Sequence, residues 1–128
     1  MLGKFVLWVS ALSFTGYGLA CLLTPTIPAD MTGLAVFSGD AYAELAAMYG
    51  GLQTGIGVYC ALAALRAELY RPALLLLALA IGALALGRLM AVLTGAGDVG
   101  FYTWGAMAYE FVTAILAAIA LRASAPAR

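Results

Sequence analysis

Ala43-Glu44-Leu45-Ala46-Ala47-Met48-Tyr49-Gly50-Gly51-Leu52-Gln53-Thr54-Gly55 sets a carboxylate, a phenol, an amide and close-packing glycines into a segment that otherwise has the composition of a membrane-crossing helix. In hydrocarbon a backbone satisfies its own hydrogen bonds only as a helix or a closed barrel. A polar side chain at that depth turns toward other protein groups, so Glu44 and Gln53 predict neighbours. Two further apolar stretches each carry one isolated charge, Arg88 and Glu110. The economical reading is a helical bundle whose polar residues meet inside it.

The rest of the chain agrees with a membrane setting. Its 128 residues are 66% hydrophobic and 9% charged, with a mean hydropathy of +1.06, whereas about a quarter of a soluble domain is charged. Net charge is zero and no basic cluster occurs, which removes nucleic acid as a partner. Histidine is absent and Cys21 and Cys60 lack metal-ligand spacing, so no zinc, haem or iron–sulfur site and no cofactor is expected.

A spanning helix needs about 20 apolar residues, and four stretches qualify: about 5–23, 41–65, 72–93 and 101–121. Leu74-Leu75-Leu76-Leu77-Ala78-Leu79-Ala80-Ile81 is continuously apolar, unlike the alternation of a barrel strand. The expected fold is all-α, an integral membrane four-helix bundle of up-down topology forming a single domain. Lys4, Arg66, Arg71, Arg122 and Arg128 fall on one side of these spans and Asp30, Asp40 and Asp98 in the other two connections. By the positive-inside rule both termini are cytoplasmic, in a multi-pass protein of the bacterial inner membrane. Trp8 and Tyr70 sit near the inner interface, and Tyr42, Tyr102 and Trp104 near the outer. The start resembles a signal or lipoprotein segment, but Gly18 replaces the usual lipobox leucine, and Trp8, Tyr17, Gly16 and Gly18 suit a retained packing helix.

Pro25 and Pro28 end the first span, and the outer loop 24–40 is long for a bundle. Its apolar centre, Met31 to Phe37, reads as an interfacial segment or as a lid. Asp40 is the expected cap of the second span, and Glu44 in its first turns is favoured by the helix dipole. At 100° per residue Glu44, Met48, Gly51 and Gly55 share one face and Tyr49, Gln53 and Cys60 another, with both faces expected against neighbouring helices. Arg66 to Arg71 reads as a short turn, with Pro72 at the first position of the third helix. Arg88 lies about 7 to 8 Å from the outer end and Glu110 about 13 Å. That is too deep for a carboxylate to reach headgroups, and Thr113 and Met107 share its face. Cys21 and Cys60 differ in depth by about 15 Å, so both read as packing residues.

Run up and down in order, the helices bring Glu44, Arg88 and Glu110 to the outer half of the bundle. One arginine does not neutralise two carboxylates, so a proton, a cation or a ligand's donor makes up the difference. The expected ligand-binding set is Glu44, Arg88 and Glu110 on the polar group, with Met48, Tyr49, Gln53, Trp104 and Tyr109 around it. No catalytic or metal residue is assigned.

Ala43-Glu44 through Met48-Tyr49-Gly50-Gly51-Leu52-Gln53, with Gly87-Arg88 and Glu110 on later helices, resembles a bacterial family of uncharacterised four-helix membrane proteins, the DUF4345 type of the DoxX-like superfamily. The likeness covers almost the whole chain, including Gly16-Tyr17-Gly18 and the Pro25 break. Leu45 departs from it, since a charged residue often follows the glutamate in that family. The resemblance implies fold and topology. For the wider superfamily it implies quinone-linked redox chemistry or the binding of apolar small molecules, by analogy alone.

Three functions stay open. The leading one is binding of a small amphiphile, lipid or quinone-like molecule at the Glu/Arg/Glu site. A structural or accessory subunit, whose triad fixes packing while small-residue faces serve association with a second copy or a partner membrane protein, is the second. An enzyme or redox subunit with a glutamate acid/base is the third and less favoured, because no nucleophile–base pair accompanies the acids.

Overall fold

In a computed structural model, which describes residues 1–95 and 97–124, all regular structure is helical. Helix α1 covers Leu2–Leu23 and the short α2 covers Ile27–Thr32. Helix α3 runs unbroken over 39–65, with a π-helical stretch Ala46–Gly51 between α-helical Gly39–Leu45 and Leu52–Leu65. Helix α4, Ala67–Leu93, contains a second π-helical stretch, Leu77–Ile81, and α5 covers Phe101–Ala123. Helices α1, α4 and α5 are long and apolar enough to cross a membrane. Helix α3 is as long, but Glu44, Gln53, Thr54 and its five glycines dilute its hydropathy.

The helix boundaries correct three details. Ser38, in extended conformation, is the cap of α3, its Oγ accepting from the Ala41 N–H at 3.1 Å. Asp40, expected there, occupies the first turn instead. The turn expected over Arg66 to Arg71 shrinks to Arg66 alone, at φ −115° and ψ 121°. Pro72 accordingly lies inside α4 rather than at its start. Within 24–40, α2 forms with Pro28 and Ala29 buried and stops at Gly33, whose φ of 76° suits glycine. Leu34 and Phe37 beyond it are exposed. Arg128 and Ala96 lie outside the described residues.

The chain divides into two compact units, Trp8–Leu62 and Met1–Leu7 with the chain from Ala63 onward. In the first, α1 and α3 cross at small residues. A Cβ on Gly18 would come within 2.5 Å of the Thr54 nitrogen and 2.9 Å of the Gly50 oxygen. One on Gly57 would lie 2.5 Å from the Thr15 nitrogen, and one on Gly50 would lie 2.8 Å from Leu22. Small residues at such a crossing let backbones approach closely and gain dispersion. Gly18, Gly50 and Gly57 make that approach.

In the second unit α4 and α5 pack antiparallel along their length. The inward row of α5 is Met107, Glu110, Thr113 with Ala114, Ala117 and Ala120, one or two residues per turn. The facing row of α4 is Ala73, Leu74, Leu77, Ile81 and Ala85. Three rungs fix the register. Arg71 donates to the Leu121 carbonyl at 3.2 Å and to Ser124 Oγ at 3.0 Å, a cation on the final carbonyls of a helix. A Cβ on Gly82 would sit 3.5 Å from that of Ala114, and Arg88 meets Glu110.

Candidate functional site

Arg88 follows Ala85 on the inward row of α4, one turn from its end, and Glu110 stands on the inward row of α5. The antiparallel register therefore delivers a guanidinium to a carboxylate. Arg88 Nε donates to Glu110 Oε2 at 3.1 Å and Nη2 to Oε1 at 2.8 Å. This is the bidentate fork that a planar guanidinium makes and an ammonium does not. The two side chains differ in burial: Glu110 is 7% exposed and Arg88 25%.

The pair answers an energetic problem set by the sequence. An arginine at the middle of a spanning helix costs roughly 2.5 to 3.5 kcal/mol on an insertion scale. A carboxylate facing it within hydrogen-bonding distance removes much of that cost, provided neither partner is lost. Chemically, the arrangement is a carboxylate-paired cation whose side chain is 25% exposed, of a type that donates to a carbonyl, carboxylate or phosphate oxygen.

Of the other residues expected around the polar group, Tyr109 is half-buried beside Glu110, and Trp104 is 50% exposed two turns earlier on α5. Trp104 lies off the inward row that carries Met107 and Glu110.

Glu44, Met48, Tyr49 and Gln53 belong to the unit Trp8–Leu62. There Glu44 and Met48 are exposed, and Tyr49 and Gln53 half-buried. The expected face of Glu44, Met48, Gly51 and Gly55 is exposed throughout, and the glycines at the helix contact are Gly50 and Gly57. Beyond Ala46 the π-helical stretch, whose i→i+5 bonding adds a residue to the turn, rotates the later positions relative to Glu44. Buried positions on α3 run Leu45, Gly50, Gly57, Cys60, Ala63 and Ala64, with a five-residue step across the π-helical stretch. Of the two faces expected against neighbours, that of Tyr49, Gln53 and Cys60 is half-buried to buried, and that of Glu44, Met48, Gly51 and Gly55 is not. Gln53 Oε1, Thr54 Oγ1 and Ser10 Oγ of this unit are buried without a hydrogen-bond partner among the described residues. Cys21 and Cys60 are buried free thiols.

Two functional contacts had no local sequence signal. Arg71 bonds a helix end 50 residues away, and Gly3 makes room for the ring of Tyr70.

The geometry can be set beside known proteins. A family model described as a domain of unknown function, DUF4345, matches residues 2–121, which takes in all five helices but the last two residues of α5. The chain belongs to the DUF4345 family. Searches of curated proteins and of solved structures gave no match.

Proposed function

We propose that this DUF4345 protein is a four-span protein of the bacterial inner membrane, with both termini cytoplasmic, that binds a small amphiphile at the Arg88–Glu110 pair. The amphiphile is a lipid or a quinone-like molecule whose polar group accepts hydrogen bonds from the guanidinium. The observation that carries this reading is the asymmetry of the pair. Glu110 is buried and both its oxygens are engaged, while Arg88, held rigid by that fork, keeps a quarter of its side chain open. A cation so oriented loses little freedom when it takes a ligand oxygen.

Four spans are supported by the unbroken helix over 39–65, which exceeds the length a bilayer requires. Orientation rests on Lys4, Arg66, Arg71 and Arg122 falling in one set of connections. Glu44, Met48, Tyr49 and Gln53 enter the proposal as a second polar set, tested separately by Glu44→Gln. Placement in the DoxX-like superfamily, and the quinone-linked chemistry that goes with it, belong to this reading by analogy.

The test uses a fatty acid brominated near its carboxyl group, added to Trp8→Phe protein in neutral nanodiscs so that Trp104 is the sole tryptophan. Saturable quenching that Arg88→Gln abolishes and Arg122→Gln leaves alone is the expected result. Quenching that rises linearly with bromolipid in all three proteins would remove the site.

A second reading is favoured by the complete occupation of Glu110 by Arg88: the pair serves as a register pin in a structural or accessory subunit. In that case Arg88→Met/Glu110→Leu leaves folding and association intact and nothing is bound.

A further inference from the structure

A cavity of about 300 Å³ opens at the opposite end of the α4–α5 unit from the Arg88 pair, where the start of α1, the end of α3 and the start of α4 converge. Its floor is Ala63 and Ala64, both buried. Lys4 and Arg66 line it with exposed side chains, and Tyr70 forms a further wall. The phenol of Tyr70 is seated directly against Gly3, where any Cβ would collide with its hydroxyl oxygen, and a Cβ there would also lie 3.2 Å from Leu74. Neither Lys4 nor Arg66 has a carboxylate within ion-pair distance among the described residues. Glu68, the acid closest in sequence, is exposed.

We propose that this cavity binds the phosphate of an anionic membrane phospholipid. Two cations without a carboxylate partner among the described residues, with a phenol around the same recess, are the chemistry of an oxyanion site, in which lysine supplies a point charge and arginine a planar set of donors. The surroundings identify the source of the phosphate as a lipid. Leu65, which lines the cavity, and Leu2 and Phe5, which adjoin lining residues in sequence, are exposed apolar side chains, Phe5 at 62% and Leu65 at 72%. A lipid seated with its phosphate between Lys4 and Arg66 lays its acyl chains along them, whereas a free anion makes no use of them. Basic pockets between spanning helices at a membrane surface are suited to such headgroups. The inference rests on the membrane setting of α1 and α4 and is independent of ligand binding at Arg88.

Native mass spectrometry of the full chain, released from nanodiscs of mixed phosphatidylglycerol and phosphatidylcholine, tests it. The wild type should retain phosphatidylglycerol preferentially. Lys4→Gln/Arg66→Gln should reduce that preference roughly thirty-fold, the value for two surface cations at about 1 kcal/mol each. Arg122→Gln, which removes a charge outside the cavity, should leave it unchanged, and Arg66→Lys should keep most of it. Circular dichroism confirms that each variant is folded, and the Arg66→Lys comparison decides if the double variant is not. Equal retention of the two lipids, or the same loss in Arg122→Gln, overturns the proposal. Displacement of phosphatidylglycerol by soluble glycerol phosphate at equal concentration shows a free-anion site and overturns the lipid assignment.

Discussion

Glu110 gives both carboxylate oxygens to a single arginine, and the consequence is an asymmetry between single and double substitutions. Glu110→Gln leaves Arg88 without its counter-charge in an apolar setting and should destabilise the protein by about 3 to 5 kcal/mol. Arg88→Met/Glu110→Leu removes both charges and should be neutral or stabilising by about 1 to 4 kcal/mol. Unfolding in mixed micelles measures both; a Glu110→Gln protein as stable as wild type would show that the fork does not form in the membrane. Both residues of this pair were legible in the sequence because each is the lone charge in an apolar run. Their meeting followed from antiparallel neighbours of similar depth. Glu44 was equally visible as a residue, yet its exposure was not, because that depends on the shape of the helix carrying it.

At the scale of elements, the π-helical stretch Ala46–Gly51 decides which glycines matter. Gly55 faces open space, so Gly55→Ala should be neutral or stabilise α3 by about 0.5 to 1 kcal/mol through helix propensity. At Gly57 the obstacles to a Cβ include the Thr15 nitrogen and the Ala11 oxygen. Backbone atoms cannot step aside as a flexible side chain does, and Gly57→Ala should cost about 1 to 3 kcal/mol. The same unfolding assay compares them, and equal stability of the two variants would contradict the described helix crossing. Ser38→Ala should remove the α3 cap at a cost of about 1 kcal/mol, with Asp40→Ala smaller. The existence and limits of the long helices were readable from apolar run length and from Pro25, to within a few residues. The π stretches were not, since Leu77–Ile81 and Ala46–Gly51 have only alanine in common. One is leucine-rich and the other glycine-rich, so local propensity cannot signal both.

At the scale of the whole molecule, a four-span topology requires α3 to cross the bilayer with α1, α4 and α5. In a Cys21→Ala/Cys60→Ala background, a cysteine placed by Phe37→Cys should react with an impermeant maleimide in intact cells. One placed by Ser124→Cys should react only after permeabilisation. Phe37 is 92% exposed, so access is not limiting, and labelling of both positions from one side would reverse or break the topology. Membrane class was legible from 66% hydrophobic and 9% charged residues. The cavity at Lys4 and Arg66 was not, because the same charges also set orientation, and only the convergence of three helix ends makes a recess of them.

The central claim is a bound amphiphile at Arg88–Glu110, and native mass spectrometry of wild type, Arg88→Gln and Glu110→Gln, extracted in mild detergent at matched expression, tests it most directly. A small molecule carried by wild type and missing from both folded variants is the predicted result. A ligand-free wild type, or the same molecule retained in equal amount by all three, would contradict it.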